Sequence, residues 1–113
     1  MIRDSLATSI SFFIEEIHSN DSNYLATIRK ILMREFRDSM PKKYFIFPQQ
    51  CEVYCLSKTL CIKFPSWGSE RYMDKQRGFY DFLLENFIVD RELFDGNTTY
   101  LIRGIKYGSS ERT

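Results

Sequence analysis

The chain has 113 residues, 43% of them hydrophobic and 16% aromatic, and a formal net charge of +1. That length suits one domain with a packed, aromatic-rich core and leaves no room for two. The near-neutral balance argues against a broadly basic protein that coats DNA.

Residues 3–18 carry the clearest helical pattern. Ile2, Leu6, Ile10, Phe13, Ile14 and Ile17 recur at spacings of three and four and stack on one stripe. Ser19-Asn20-Asp21-Ser22 ends that helix and offers an N-cap for the next. The second helix is predicted over about 23–38, with Leu25, Ile28, Leu32 and Phe36 on its apolar stripe and Ile31 beside it. The short link between the two predicts an antiparallel helix pair. Pro41 stops the second helix. Tyr44–Phe47 is apolar throughout and reads as a short strand before Pro48.

Cys51–Phe64 is the strongest strand signal. Two six-residue apolar runs flank Ser57-Lys58, which predicts a hairpin with Leu56 opposite Thr59. Cys55 then meets Leu60, Val53 meets Ile62 and Cys51 meets Phe64 on one apolar face. Glu52 pairs with Lys63, and Tyr54 with Cys61, on the other. A slip of one residue would place Glu52 and Lys63 on the apolar face, so the pattern specifies one register. Ser57-Lys58 is atypical for a tight turn, where Gly or Asn is preferred.

A third helix is predicted over about 69–86, its broad apolar side formed by Tyr72, Gln76, Phe79, Tyr80, Leu83, Leu84 and Phe87. Gly78 marks a candidate break within it, because Gly costs up to about 1 kcal/mol against Ala in a helix interior. Asp95-Gly96-Asn97 then centres a second hairpin between 88–94 and 98–107. A four-residue loop pairs Leu93 with Tyr100 and Asp90 with Arg103, putting Val89, Leu93, Tyr100 and Ile102 on one face, with Arg91 intruding. The polar residues 108–113 read as a disordered tail. The expected architecture is α+β. An N-terminal helix pair is followed by two hairpins forming an antiparallel sheet, with the intervening helix packed on it, in a single domain over 1–107.

Chemistry-bearing residues are sparse. Cys51 and Cys55 share a strand face but stand about 13 Å apart at roughly 3.3 Å per residue, and Cys61 points to the opposite face. Zinc ligands must lie about 2.0–2.3 Å from one ion, so no metal site is expected and the thiols read as core. The single histidine, His18, falls at a helix end, where it complements the dipole. The carboxylates fall on polar faces beside arginines, and no Gly-rich phosphate loop is present, so neither an enzyme nor a cofactor is expected. Asn97-Thr98-Thr99 matches a glycosylation acceptor pattern but reads as turn and strand. An odd cysteine count fits a reducing compartment. No run reaches the roughly 7–15 apolar residues of a signal peptide or the roughly 20 of a membrane span, so the expectation is a cytoplasmic protein without a membrane partner.

The sharpest local feature is basic. Arg29, Lys30, Arg34, Arg37, Lys42 and Lys43 lie close together, against only Glu35 and Asp38. Such a cluster can hold phosphates, and nearby Tyr44 and Tyr54 can stack on the bases of single-stranded RNA. The bland reading is a solvated helix face with its aromatic neighbours in the core. The run from Tyr24 through Gln49-Gln50-Cys51, the SKTLCIKF stretch at 57–64 and QRGFYDFLLENFIV at 76–89 together resemble the RegA family of phage translational repressors. The resemblance covers about residues 24–105. It implies a small RNA-binding protein that blocks translation initiation, and no RNA-contacting residue is carried over from it. The alternative expectation is a protein-binding inhibitor or adaptor, of phage or bacterial accessory type, with an exposed apolar patch. A homodimer is compatible with either. A winged-helix DNA reader fits poorly, because the polar side of the third helix is net acidic.

Overall fold

The computed structural model describes residues 2–17, 21–36, 51–65 and 70–106. Helix α1 spans Ile2–Phe12 and continues as one π-helical stretch, Phe13–Ile17. Helix α2 spans Ser22–Phe36. The strands are β1 (Glu52–Leu56), β2 (Thr59–Phe64), β3 (Phe87–Phe94) and β4 (Asn97–Ile105), with helix α3 (Glu70–Asn86) between the two hairpins. All four strands are antiparallel, in the order β1-β2-β4-β3. This is the α+β arrangement that the residue pattern predicts. The expected strand at 44–47, the 108–113 tail and His18 lie outside the described residues.

The helices form where periodicity and caps agree. On α1 and its π-helical continuation, Leu6, Ile10, Phe13 and Ile14 are buried; on α2, so are Leu25, Ile28, Leu32 and Phe36. Asp21 caps α2, its Oδ1 accepting the Tyr24 amide at 2.9 Å and satisfying one of the unpaired donors of the first turn. Tyr24 ties the two helices together, its hydroxyl donating to the Ser9 carbonyl at 3.2 Å. Helix α3 runs through Gly78 without a break. Packing supplies the reason: Phe79, Phe82 and Leu83, just beyond the glycine, are all buried, which outweighs its propensity cost. Leu84, expected on the apolar side, is 36% exposed, and Phe82 takes its place in the core.

The first hairpin has the predicted register, Glu52 with Lys63 through Leu56 with Thr59. It closes through a two-residue turn in which Ser57 (φ 49°) and Lys58 (φ 66°) both adopt the left-handed conformation. That geometry matches the twist of the flanking strands, so the strands impose it on residues that do not favour it.

The second hairpin differs from expectation. Asp95 (φ 53°) and Gly96 (φ 81°) make a two-residue turn, closed by Phe94 opposite Asn97. Leu93 therefore pairs with Thr98, Arg91 with Tyr100 and Asp90 with Leu101. Val89, Tyr100 and Ile102 do share the inner face, but Leu93 lies beyond the core and is 71% exposed. A register irregularity falls between Ile88 and Val89, where Arg103 on β4 is the extra residue. It brings Arg103 Nε to 3.0 Å from Asp90 Oδ2 although the two are not directly opposed. Arg91 does not enter the core. Its guanidinium lies 4.4 Å from the centre of the Tyr80 ring at the sheet's edge.

One core cluster joins residues of all three helices to one face of the sheet. Phe79 is its aromatic centre, with ring centroids of Phe36, Phe64 and Tyr100 at 5.7, 5.7 and 5.5 Å, mostly edge to face. The Tyr100 hydroxyl reaches Gln76 Oε1 at 3.2 Å, and burial pushes its phenol up to about 12. No described helix packs on the other face of the sheet.

Candidate functional site

Of the eight residues expected to form a nucleic-acid surface, four are described. Lys30 and Arg34 are exposed on α2, one turn apart. Arg29 is not part of that surface. It flanks the buried stripe of α2, so its side chain reaches over the edge of the sheet, where Nε donates to the Cys51 carbonyl at 2.6 Å. Its Nη2 is buried and has no hydrogen-bond partner among the described residues. Tyr54 lies on the helix-free face of β1 rather than beside Lys30 and Arg34. Arg37, Lys42, Lys43 and Tyr44 lie outside the described residues.

The surroundings of Tyr54 are acidic. Burial raises its phenol above the usual range, and the Cys61 thiol and the Glu52 and Glu92 carboxylates add to the shift. The helix-free face as a whole has an apolar middle and a charged rim. Tyr54, Cys61 and Leu101 stand in one cross-strand row, with Cys61 fully buried and the other two half-buried. Exposed Leu56 and Ile88 extend the apolar surface toward the top of β1 and the start of β3. The rim holds Glu52, Asp90 and Glu92 against Lys63 and Arg103, an alternation that a polyanion would meet as net repulsion. Phe94, at the second turn, is 80% exposed.

Two grooves open among the described residues, the first beside the sheet and the second on α1. One of about 620 Å³ runs along β1 and is lined by Arg29, Cys51, Glu52, Val53 and Tyr54. Burial pushes the Cys51 thiol there up to about 12, against the pull of the Arg29 guanidinium, so this thiol is neutral and inert at neutral pH. The other, of about 430 Å³, lies on the outer side of α1 and its π-helical continuation, between Phe12 and the carboxylates Glu15 and Glu16. Among the described residues no cluster of His, Cys, Asp or Glu is placed to hold a metal ion, and no helix is long and apolar enough to cross a membrane.

The apolar row of the open face escapes the sequence-based list of site residues, apart from Tyr54. The pairing of Tyr54 with Cys61 is its one visible signal; Leu101 joins the row only through the contact between β2 and β4, which no local pattern encodes. No protein-family model, curated protein or solved structure matches this chain.

Proposed function

We propose that the chain is a non-enzymatic protein-binding module, an adaptor or inhibitor that docks a partner on the helix-free face of its sheet. The observation that carries this reading is the Tyr54–Cys61–Leu101 row within a rim of alternating charge. An apolar centre with a polar rim is the composition of a protein interface, and large exposed apolar side chains beside it enlarge the contact. The test is co-purification with the wild-type chain and with Leu101→Glu, after circular dichroism shows the variant folded. The expected result is one stoichiometric protein retained by the wild type and lost with the variant. Retention by both would remove the open face from consideration.

A second reading has its own observation. Lys30 and Arg34 are exposed together on α2, the part of the basic cluster on which RNA binding and translational repression would rest. A titration with single-stranded RNA against salt tests it. Several phosphate contacts give a steep loss of affinity as salt rises, and Lys30→Glu with Arg34→Glu should abolish binding. Binding that ignores both salt and these reversals would refute it.

A further inference from the structure

Among the described residues no strand pairs with the outer edge of β1, and that edge has the parts of a strand-addition site. In an antiparallel hairpin closed by a two-residue turn, alternate residue pairs exchange both backbone hydrogen bonds, beginning with the pair that flanks the turn. Here those pairs are Leu56 with Thr59, Tyr54 with Cys61, and Glu52 with Lys63. The amides and carbonyls of Val53 and Cys55 therefore face away from β2, as does the carbonyl of Cys51. The Arg29 contact agrees with this phase, since the carbonyl it takes is that of Cys51.

The guanidinium is held in a particular place. Nε is fixed on an edge carbonyl, so the group lies alongside the strand, where the backbone of an added strand would end. Its Nη2 is out of water and unpaired among the described residues, a costly state for a charged donor, and a shift of the guanidinium into the adjoining groove would let an anion relieve it. The groove of about 620 Å³ beside it leaves space along Cys51–Tyr54.

We infer that the outer edge of β1, unpaired among the described residues, takes up an extended peptide antiparallel to β1, with the peptide's C-terminal carboxylate on Arg29. The antiparallel direction follows because Arg29 sits at the N-terminal end of β1, where the last residue of an antiparallel strand arrives. A main-chain carboxylate fits better than an Asp or Glu side chain, because strand side chains stand off the sheet while Arg29 lies along its edge. A polyanion fits poorly, since Glu52 lines the same groove. Main-chain pairing with Val53 and Cys55 would supply affinity, and the carboxylate would set the end point. This inference stands apart from the open face and survives its failure.

The experiment uses the full chain, labelled with nitrogen-15, and an acetylated Val-Thr-Val-Thr-Val peptide as free acid and as C-terminal amide. In the free protein the Val53 and Cys55 amides should exchange rapidly with solvent, unlike those of Tyr54 and Leu56. The free acid should shift the Val53 and Cys55 signals, and the amide should bind at least about tenfold more weakly. Arg29→Gln should remove the preference for the acid. Should that variant fail to fold, Val53→Pro, which deletes an outward amide and leaves the pairing with β2 intact, should abolish binding of both peptides. Slow exchange of Val53 and Cys55 in the free protein would show the edge already occupied and overturn the inference. So would equal binding of acid and amide, or no binding of either.

Discussion

Replacing Lys58 with glycine should stabilise the protein. Lys58 sits at φ 66° and its neighbour Ser57 at φ 49°. A residue with a Cβ loses roughly 1–2 kcal/mol in this left-handed region. Glycine escapes that cost but gives up about 0.5–1 kcal/mol of unfolded-chain entropy. The Lys58 side chain is exposed, so its removal forfeits no packing. The expected net gain is about 0.5–1 kcal/mol. Urea unfolding reads it directly. With a slope of about 1–3 kcal/mol per molar for a small domain, the midpoint should rise by roughly 0.2–1 M at unchanged slope. Lys58→Ala removes the charge but keeps the strain and should leave the midpoint near that of the wild type. Lys58→Val, β-branched, should lower it. A glycine variant no more stable than the alanine variant would show that the turn is not in the left-handed geometry, and the argument from the strand twist would fall with it.

Phe79→Ala should cost about 3–5 kcal/mol, a large part of the roughly 5–15 kcal/mol available to a domain, because four aromatic neighbours surround the ring; calorimetry or urea unfolding measures the loss. Stability should fall between about pH 9 and pH 12. The Cys51 thiol, ordinarily near 9.0, is raised to about 12 in the folded chain, so the unfolded chain releases its proton first and gains the advantage as pH rises. Cys51→Ala should flatten that alkaline limb, and unfolding curves at pH 8 and pH 11 compare the two proteins. Gly104→Ala should be neutral or slightly stabilising, because the added Cβ would lie 3.6 Å from Ile88 Cδ1, an ordinary contact; a loss of more than about 1 kcal/mol of unfolding free energy, read from thermal unfolding, would contradict this bulge geometry.

Local patterns carried much of the fold. The α2 stripe and the first hairpin's register follow from spacing alone, because a one-residue slip would bury Glu52 and Lys63. The second hairpin was less legible. Asp95-Gly96-Asn97 permits either a two- or a four-residue loop, and the choice rests on burial of Tyr100 against Phe64 and Phe79, which only the assembled sheet reveals. The π-helical stretch Phe13–Ile17 has no counterpart in the periodicity, since apolar residues three and four apart serve either helix. The candidate site was the least legible part. Arg29 sits among other basic residues in the sequence, and its turn toward Cys51 depends on where β1 falls beneath α2.

The two rims of the sheet carry opposite instructions about growth. Asp90, Arg91 and Glu92 occupy the middle of β3, which forms one rim. If a second copy aligned its own β3 there, the two alignments of greatest overlap would centre on Asp90 or on Arg91. The first sets Asp90 against its counterpart; the second sets Arg91 against Arg91 and Asp90 against Glu92. Either one places like charges face to face, the device by which sheets discourage lateral polymerisation. Among the described residues the β1 rim has only Glu52 and no such barrier. Two copies paired β1 to β1 would leave only their β3 rims outermost, each carrying those charges, so growth by that route would stop at a pair.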